Sequence, residues 1–241
     1  TPLVFVGLAP DGERSFAFFC EAAPDTQLAP SDWERLPLAP VLHAGSNLMP
    51  HAPGCASTLA LMQRARREER LVAFDVNLRL NLWPDAATAR RTILEAIPLC
   101  DVVKLSEEEA CFMCNSSSVR PAELTELLGR HGVRYVVLTY GARGACLHGP
   151  GLELQEPAED VAAVDTTGAG DAFWAGVLYG VSTLAEAAPD APRAWLDSLG
   201  EGGWRRTLRL ANHLGSRACT ARGATTAVPC REHVPWSELG W

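Results

Sequence analysis

The stretch "VDTTGAGDAFWAGVLYG", Val164 to Gly180, sets two acidic residues, Asp165 and Asp171, around the small residues Gly168, Ala169 and Gly170, where an apolar helix begins. A helix N-terminus presents unpaired backbone N–H groups and the positive end of the helix dipole, so it attracts anions. Glycine lets a large anion come close. A carboxylate at the same place fits a site where a phosphate and a proton acceptor must meet. The plainer reading is a turn whose aspartate caps the helix.

Two familiar phosphate sites are excluded. The pattern GxxxxGK followed by Ser or Thr is absent, and Lys104 is the only lysine in the chain, so there is no P-loop. Gly168 and Gly170 give GxG, but no third glycine stands where a dinucleotide fingerprint needs it. What remains is an anion hole with a built-in carboxylate. It suits phosphoryl transfer to an alcohol: the Gly168, Ala169 and Gly170 amides hold the charge on the transferred group, and Asp171 accepts the proton of the attacking hydroxyl.

The rest of the chain supplies the frame. "LVFVGLAPDGERSFAFF" reads as a hairpin turning at Pro10-Asp11-Gly12. Beyond a Pro-rich passage, apolar runs at 41–45, 71–77, 101–105, 135–139 and 145–149 alternate with helices near 56–69, 86–97, 106–113 and 121–130. Repeated βα units predict a mainly parallel sheet between helices, with ligands at the carboxyl ends of its strands. In the helix from Ala169, Phe173, Val177 and Val181 share a face, and Gly176 and Gly180 predict close packing on the sheet. "LAEAAPDAPRAWLDSLGEGGWRR" (184–206) reads as a variable connection before a last helix near Arg205 to Thr220.

Composition narrows the partners. The 241 residues are 47% hydrophobic, enough for a sizeable core. A net charge of -8 argues against nucleic acid or an anionic membrane and for a small-molecule ligand. No stretch is long and apolar enough to span a bilayer, and the opening residues lack a signal-peptide pattern, so a cytoplasmic protein is expected. The eight cysteines sit in apolar segments and read as buried free thiols, with Cys111 and Cys114 a structural pair. The histidines show no metal-ligand spacing.

"DTTGAGDAF" (165–173) resembles the signature of the ribokinase-like (PfkB) sugar kinases. "DGERSF" (11–16), "FDVNLRLNLWP" (74–84), "KLSEEEA" (104–110), "LTYGARGA" (138–145) and "ACTARGA" (218–224) stand in the family's order. They look most like its bacterial fructokinase and 2-keto-3-deoxygluconate kinase branch. The resemblance implies a three-layer αβα sandwich with a small β lid: residues 1–25 belong to the lid hairpin, and 26–241 form the nucleotide-binding kinase domain. The family's usual N-terminal segment, with its first strand and sugar-gripping Asn, has no counterpart in this sequence. After "FAFF", Cys20-Glu21 stands where fructokinase-like relatives often carry an arginine.

Carried over by position, the resemblance makes Asp171 the catalytic base and the Gly168 to Gly170 backbone the anion hole. It implies ATP as phosphoryl donor, with Ser106, Thr139, Gly141, Gly144 and Asn212 along the nucleotide. Glu109 would hold magnesium through water. Asp165, with carbonyls around Thr167, Cys219, Arg222 and Ala224, would bind a monovalent cation such as potassium. A homodimer through the lid is also implied.

Several of these positions have a second reading. "SEEE" is equally a capped helix start with acidic first-turn residues. Thr139 and Gly141 fit a simple turn, and Asn212 an ordinary polar place on a helix. Alternation would point Asp75, Asn77 and Arg79 into one cleft, where Arg79 suits a sugar acid, a phosphate or a structural salt bridge. Arg14 would reach the sugar if the hairpin folds over. The substrate stays open among fructose, 2-keto-3-deoxygluconate and a riboside, and a non-catalytic nucleotide- or sugar-binding regulator is the rival of another class.

Overall fold

Strands apolar at odd and even positions alike belong in a sheet covered on both faces. The computed structural model of the chain, which describes residues 3–8, 14–19, 23–34, 36–185 and 192–241, shows such a sheet. The first two strands stand apart from it: β1 (Leu3–Leu8) and β2 (Arg14–Phe19) pair antiparallel, Leu3 opposite Phe19 and Leu8 opposite Arg14. The Pro10-Asp11-Gly12 turn, Cys20-Glu21 and the Arg14 side chain lie outside the described residues.

Six strands follow in chain order across one sheet: β3 (Val41–Gly45), β4 (Leu71–Asp75), β5 (Val102–Ser106), β6 (Tyr135–Thr139), β7 (Ala145–Gly149) and β8 (Leu152–Glu156). The ladders from β3 to β6 are parallel, and β7 and β8 return antiparallel. Four helices link the parallel strands: α1 (Ala52–Arg67), α2 (Ala86–Ala96), α3 (Glu107–Cys114) and α4 (Pro121–Gly129). Then come α5 (Ala169–Ala185), α6 (Pro192–Ser198), α7 (Gly200–Ala218) and α8 (Trp236–Leu239).

The period of two sorts the strand residues into two cores. Val72, Phe74, Val103, Leu105, Val136 and Leu138 pack with Met62, Ile93, Met113 and Leu128 from α1 to α4. Leu71, Ala73, Val102 and Val137 face the other way, onto Phe173, Val177 and Val181 of α5 and Trp204 and Leu208 of α7. Each such large apolar side chain contributes about 1.5–3 kcal/mol on full burial. The result is helices, sheet and helices in three layers, the α/β class expected.

Three expectations change. Gly176 and Gly180 pack α5 on α7, not on the sheet: a Cβ would stand 2.6 Å from the Ala211 Cα at the first and 2.4 Å from the Thr207 hydroxyl at the second. The presumed connection 184–206 contains α6 and the first turns of α7, because Leu196, Leu199 and Trp204 supply buried anchors. The described thiols are free, as expected, but only Cys100 is buried; Cys55, Cys111, Cys114, Cys146 and Cys219 are half-buried and Cys230 is exposed. The chain end folds back through Val234 and Leu239, which pack on Leu210, while Trp236 meets Tyr179 at 5.3 Å between ring centres.

Candidate active site

The turn into α5 is built for close approach. Gly168 has φ +78°, and a Cβ there would come within 2.6 Å of the Ala224 carbonyl oxygen, so the loop 219–224 is seated directly on it. The Ala169 N–H donates to the Thr166 carbonyl at 3.2 Å, which removes one of the three amides expected to face an anion. Among the described residues the N–H groups of Gly168, Gly170 and Asp171 form no hydrogen bond. Asp171's own amide, in the first turn of α5, is thus the third unbonded N–H beside those of Gly168 and Gly170.

The Asp171 carboxylate is exposed, and no hydrogen bond or ion pair ties it to any described residue. It is not a cap: Ala169 opens the helix, and a reach back from Asp171 is not made. An unengaged carboxylate beside unbonded helix amides can take a proton from a hydroxyl while the amides hold a phosphate.

Behind this turn lies a charge that motif reading passed over. Lys104 on β5 faces the α5 side, its Nζ 2.8 Å from Asp75 Oδ1, both side chains almost fully buried. A Cβ on Gly170 would stand 3.7 Å from the Lys104 ammonium. The available signal was a lone lysine inside a buried apolar strand, costly unless paired. His43 on β3 was also assigned nothing. Its Nδ1 accepts the Trp174 indole N–H at 3.0 Å, which ties the second turn of α5 to the sheet and fixes the neutral tautomer as Nε2–H.

The three carbons-end residues around "FDVNLR" do not lie in one extended row. β4 ends at Asp75; Asn77 has φ +35°, and its N–H donates back to Asp75 Oδ1 at 3.1 Å. Asp75 is therefore held inside, between Lys104 and this turn. The Arg79 guanidinium donates to the Leu78 carbonyl at 3.0 Å.

"SEEE" forms the capping box. Ser106 Oγ accepts the Glu109 N–H at 3.2 Å, and Glu109 Oε2 accepts the Ser106 N–H at 2.8 Å. The other oxygen, Oε1, accepts the Leu78 N–H at 2.7 Å, so Glu109 also staples the β4 loop. Burial pushes its carboxyl above the ordinary 4.5, against the opposing pull of Lys104. With the folded value raised, the folded chain holds more protons than the unfolded chain between 4.5 and that value. Stability from this group accordingly falls as pH rises through the window and is flat above it. In Glu109→Gln the slope is absent, so the melting temperature of the variant minus that of the parent should climb with pH from about 4 upward and then level. Parallel melts across that range check this; a difference that shrinks with pH contradicts the assignment.

A cleft of about 770 Å³ opens outside the carboxyl ends of β5 and β6. It brings Ser106, Thr139, Gly141, Gly144, Asn212 and Gly170 to one wall, with Glu107 and Glu108 in place of Glu109. Some of these also hold the frame. Thr139 Oγ1 donates to the Leu105 carbonyl at 3.3 Å, and Asn212 Nδ2 to the Glu156 and Pro157 carbonyls at 2.9 and 3.1 Å. Gly144 is glycine because a Cβ would strike the Glu156 carbonyl oxygen at 2.1 Å. Another hollow, of 930 Å³ between α2 and α3, shares none of these residues.

Beside the anion hole two loops are bound together. Asp165 Oδ1 accepts from the Thr167 N–H and hydroxyl at 2.9 and 2.6 Å, and Oδ2 from the Gly223 N–H at 3.0 Å. The Val164 and Asp165 amides donate to the Cys219 carbonyl. Asp165, Thr167, Cys219 and the 222–224 segment are thus neighbours.

The model of the family described as "pfkB family carbohydrate kinase" matches residues 1–231. The chain belongs to the pfkB family of carbohydrate kinases. This pfkB kinase is 34% identical over 240 residues to the fructokinase of Klebsiella pneumoniae, across 97% of this chain and 72% of that one. It superposes with TM-score 0.82 and 32% identity on the Vibrio cholerae O395 fructokinase holding fructose, ADP and calcium, over 96% of this chain and 71% of that one. The Xylella fastidiosa fructokinase with bound ATP gives 0.82 at 31% identity, over 99% and 72%. The aminoimidazole riboside kinase of Salmonella enterica gives 0.73 at 28%, over 93% and 69%. The pfkB kinase is accordingly a phosphotransferase of fructokinase type that phosphorylates a sugar hydroxyl at the expense of ATP. Among its described residues no helix is long and apolar enough to cross a membrane.

Proposed function

We propose that this pfkB kinase transfers the γ-phosphoryl group of ATP to a hydroxyl of fructose, with Asp171 as the base. The observation that carries the role of Asp171 is its exposed, unengaged carboxylate beside the unbonded amides of Gly168, Gly170 and Asp171. Fructose is favoured over a riboside by the higher similarity to fructokinases, one of which holds fructose and ADP, than to the riboside kinase.

In this reading Asp171 accepts the proton of the attacking hydroxyl, the three amides hold the equatorial phosphoryl oxygens, and Lys104 behind Gly170 adds positive potential. The nucleotide lies along Ser106, Thr139, Gly141, Gly144 and Asn212. Magnesium takes one or two carboxylates with phosphates and keeps several waters, so a site without a preformed carboxylate cage fits it. Bound with the nucleotide, it would neutralise phosphate charge; both Glu109 oxygens accept backbone N–H groups away from the cleft wall, so Glu107 and Glu108, which line it, are the carboxylates that would reach its waters. Asp165 with the Thr167, Cys219, Arg222 and Ala224 carbonyls fits potassium, the ion present in one form of the Vibrio cholerae fructokinase. The β1–β2 hairpin, with Leu3, Phe5 and Phe19 exposed, would cover the sugar, present Arg14 to it and pair with a second copy. Residues 26–241 form the kinase domain.

The test is magnesium- and potassium-dependent ADP release from ATP, on the full-length gene product, with fructose, 2-keto-3-deoxygluconate, ribose and aminoimidazole riboside. Turnover highest with fructose is expected. Turnover confined to another sugar replaces the substrate, and ATP binding with none turned over favours a regulatory protein.

A further inference from the structure

We infer that Cys230, Glu232 and His233 form a surface site for a thiophilic divalent transition ion of the zinc class, separate from the phosphoryl-transfer cleft. Their ligand atoms, one thiol sulfur, one carboxylate oxygen and one imidazole nitrogen, all lie within 4.8 Å of one another. The placement follows from the backbone. Residues 231–233 form a 3₁₀ turn, and the His233 N–H donates to the Cys230 carbonyl at 2.9 Å. Residues three apart eclipse on a 3₁₀ turn, so Cys230 and His233 share a side.

The turn is anchored. The Trp236 indole N–H donates to the Arg231 carbonyl at 2.8 Å, and Val234 is buried against Leu210. The three side chains themselves are exposed, and none has a hydrogen bond or ion pair with a described residue. Their donor atoms are therefore available.

The chemistry of the set selects the ion. Sulfur and imidazole nitrogen disfavour magnesium and calcium and suit zinc or its neighbours. Bonds of about 2.0–2.3 Å in a tetrahedron place ligand atoms roughly 3.3–3.8 Å apart, within side-chain rotation of the present spacing, and the fourth position takes water. Binding displaces the thiol proton to solvent, leaving the thiolate on the metal. None of the three residues lines the 770 Å³ cleft. They lie on the stretch that joins Ala224, seated on Gly168, to the buried Val234. The ion would steady that stretch and take no part in the chemistry.

Cobalt(II) is the probe, titrated into the reduced, metal-free full chain. One ion per chain is expected, with the near-ultraviolet thiolate-to-cobalt absorption. Cys230→Ser should abolish that band and His233→Ala should weaken binding at least about tenfold. Cys111→Ser should leave it unchanged. Zinc should raise the melting temperature of the parent and not of Cys230→Ser, while turnover with magnesium and potassium, in the absence of zinc and cobalt, is equal in both. Absence of the band, its survival in Cys230→Ser, or its loss in Cys111→Ser overturns the assignment.

Discussion

Asp171→Asn is expected to lower kcat by about 10²–10⁴-fold, the usual worth of a positioned general base. The substitution keeps the shape and removes the proton acceptor. Because the carboxylate is exposed and makes no hydrogen bond or ion pair with a described residue, its loss should leave the melting temperature near that of the parent. Surface changes away from special features stay within about 0.5 kcal/mol. ATP affinity should hold or rise, since a negative charge leaves the neighbourhood of the phosphates. Turnover, ATP titration calorimetry and a thermal melt separate these effects. A variant that folds, binds ATP and turns over at the parental rate removes Asp171 as base.

Lys104→Met should be the most destabilising single change at the site. It deletes the cation 2.8 Å from Asp75 Oδ1 and leaves a carboxylate that is only 4% exposed without its ion-pair partner. Breaking a buried pair in this way costs about 3–5 kcal/mol. For a chain of this size that amounts to a fall in melting temperature of roughly 6–20 °C. Adding Asp75→Leu should recover much of the loss, because the penalty belongs to the stranded charge more than to the missing bond. The single variants, the double variant and the parent together give the coupling energy. A single variant within about 1 kcal/mol of the parent would mean that Asp75 is better solvated than its burial indicates. Turnover of the double variant then reads the second effect of Lys104, the positive potential behind Gly170, with the stability loss largely repaired.

What the sequence made legible follows from how local each signal is. The runs at 41–45, 135–139 and 145–149 are the strands β3, β6 and β7 to the residue, because short apolar segments bounded by turn residues have few alternatives. β8 went unread: "LELQE" alternates apolar and polar residues over only five positions, and its pairing partner is β7 through the Pro150-Gly151 turn. The site was legible where chemistry clusters in one stretch, as at Gly168 to Asp171. It was illegible where function depends on groups far apart in sequence. Lys104 and Asp75 are separated by 29 residues, and His43 and Trp174 by 131; only the parallel register of β4 with β5 and the docking of α5 on the sheet bring them together. Glu109 shows a third case. Its spacing from Ser106 serves a capping box and a metal motif alike, and the fold uses it for the first while closing the loop at Leu78.

The single lysine has a practical consequence. Amine-directed reagents find one side-chain target in this chain, and it sits beneath Gly170, 5% exposed. Acylation of Lys104 therefore requires the turn before α5 to lift from the sheet. Followed by mass spectrometry on intact protein, the slow gain of one acyl group at a side chain becomes a clock for opening of the catalytic turn, without any engineered label.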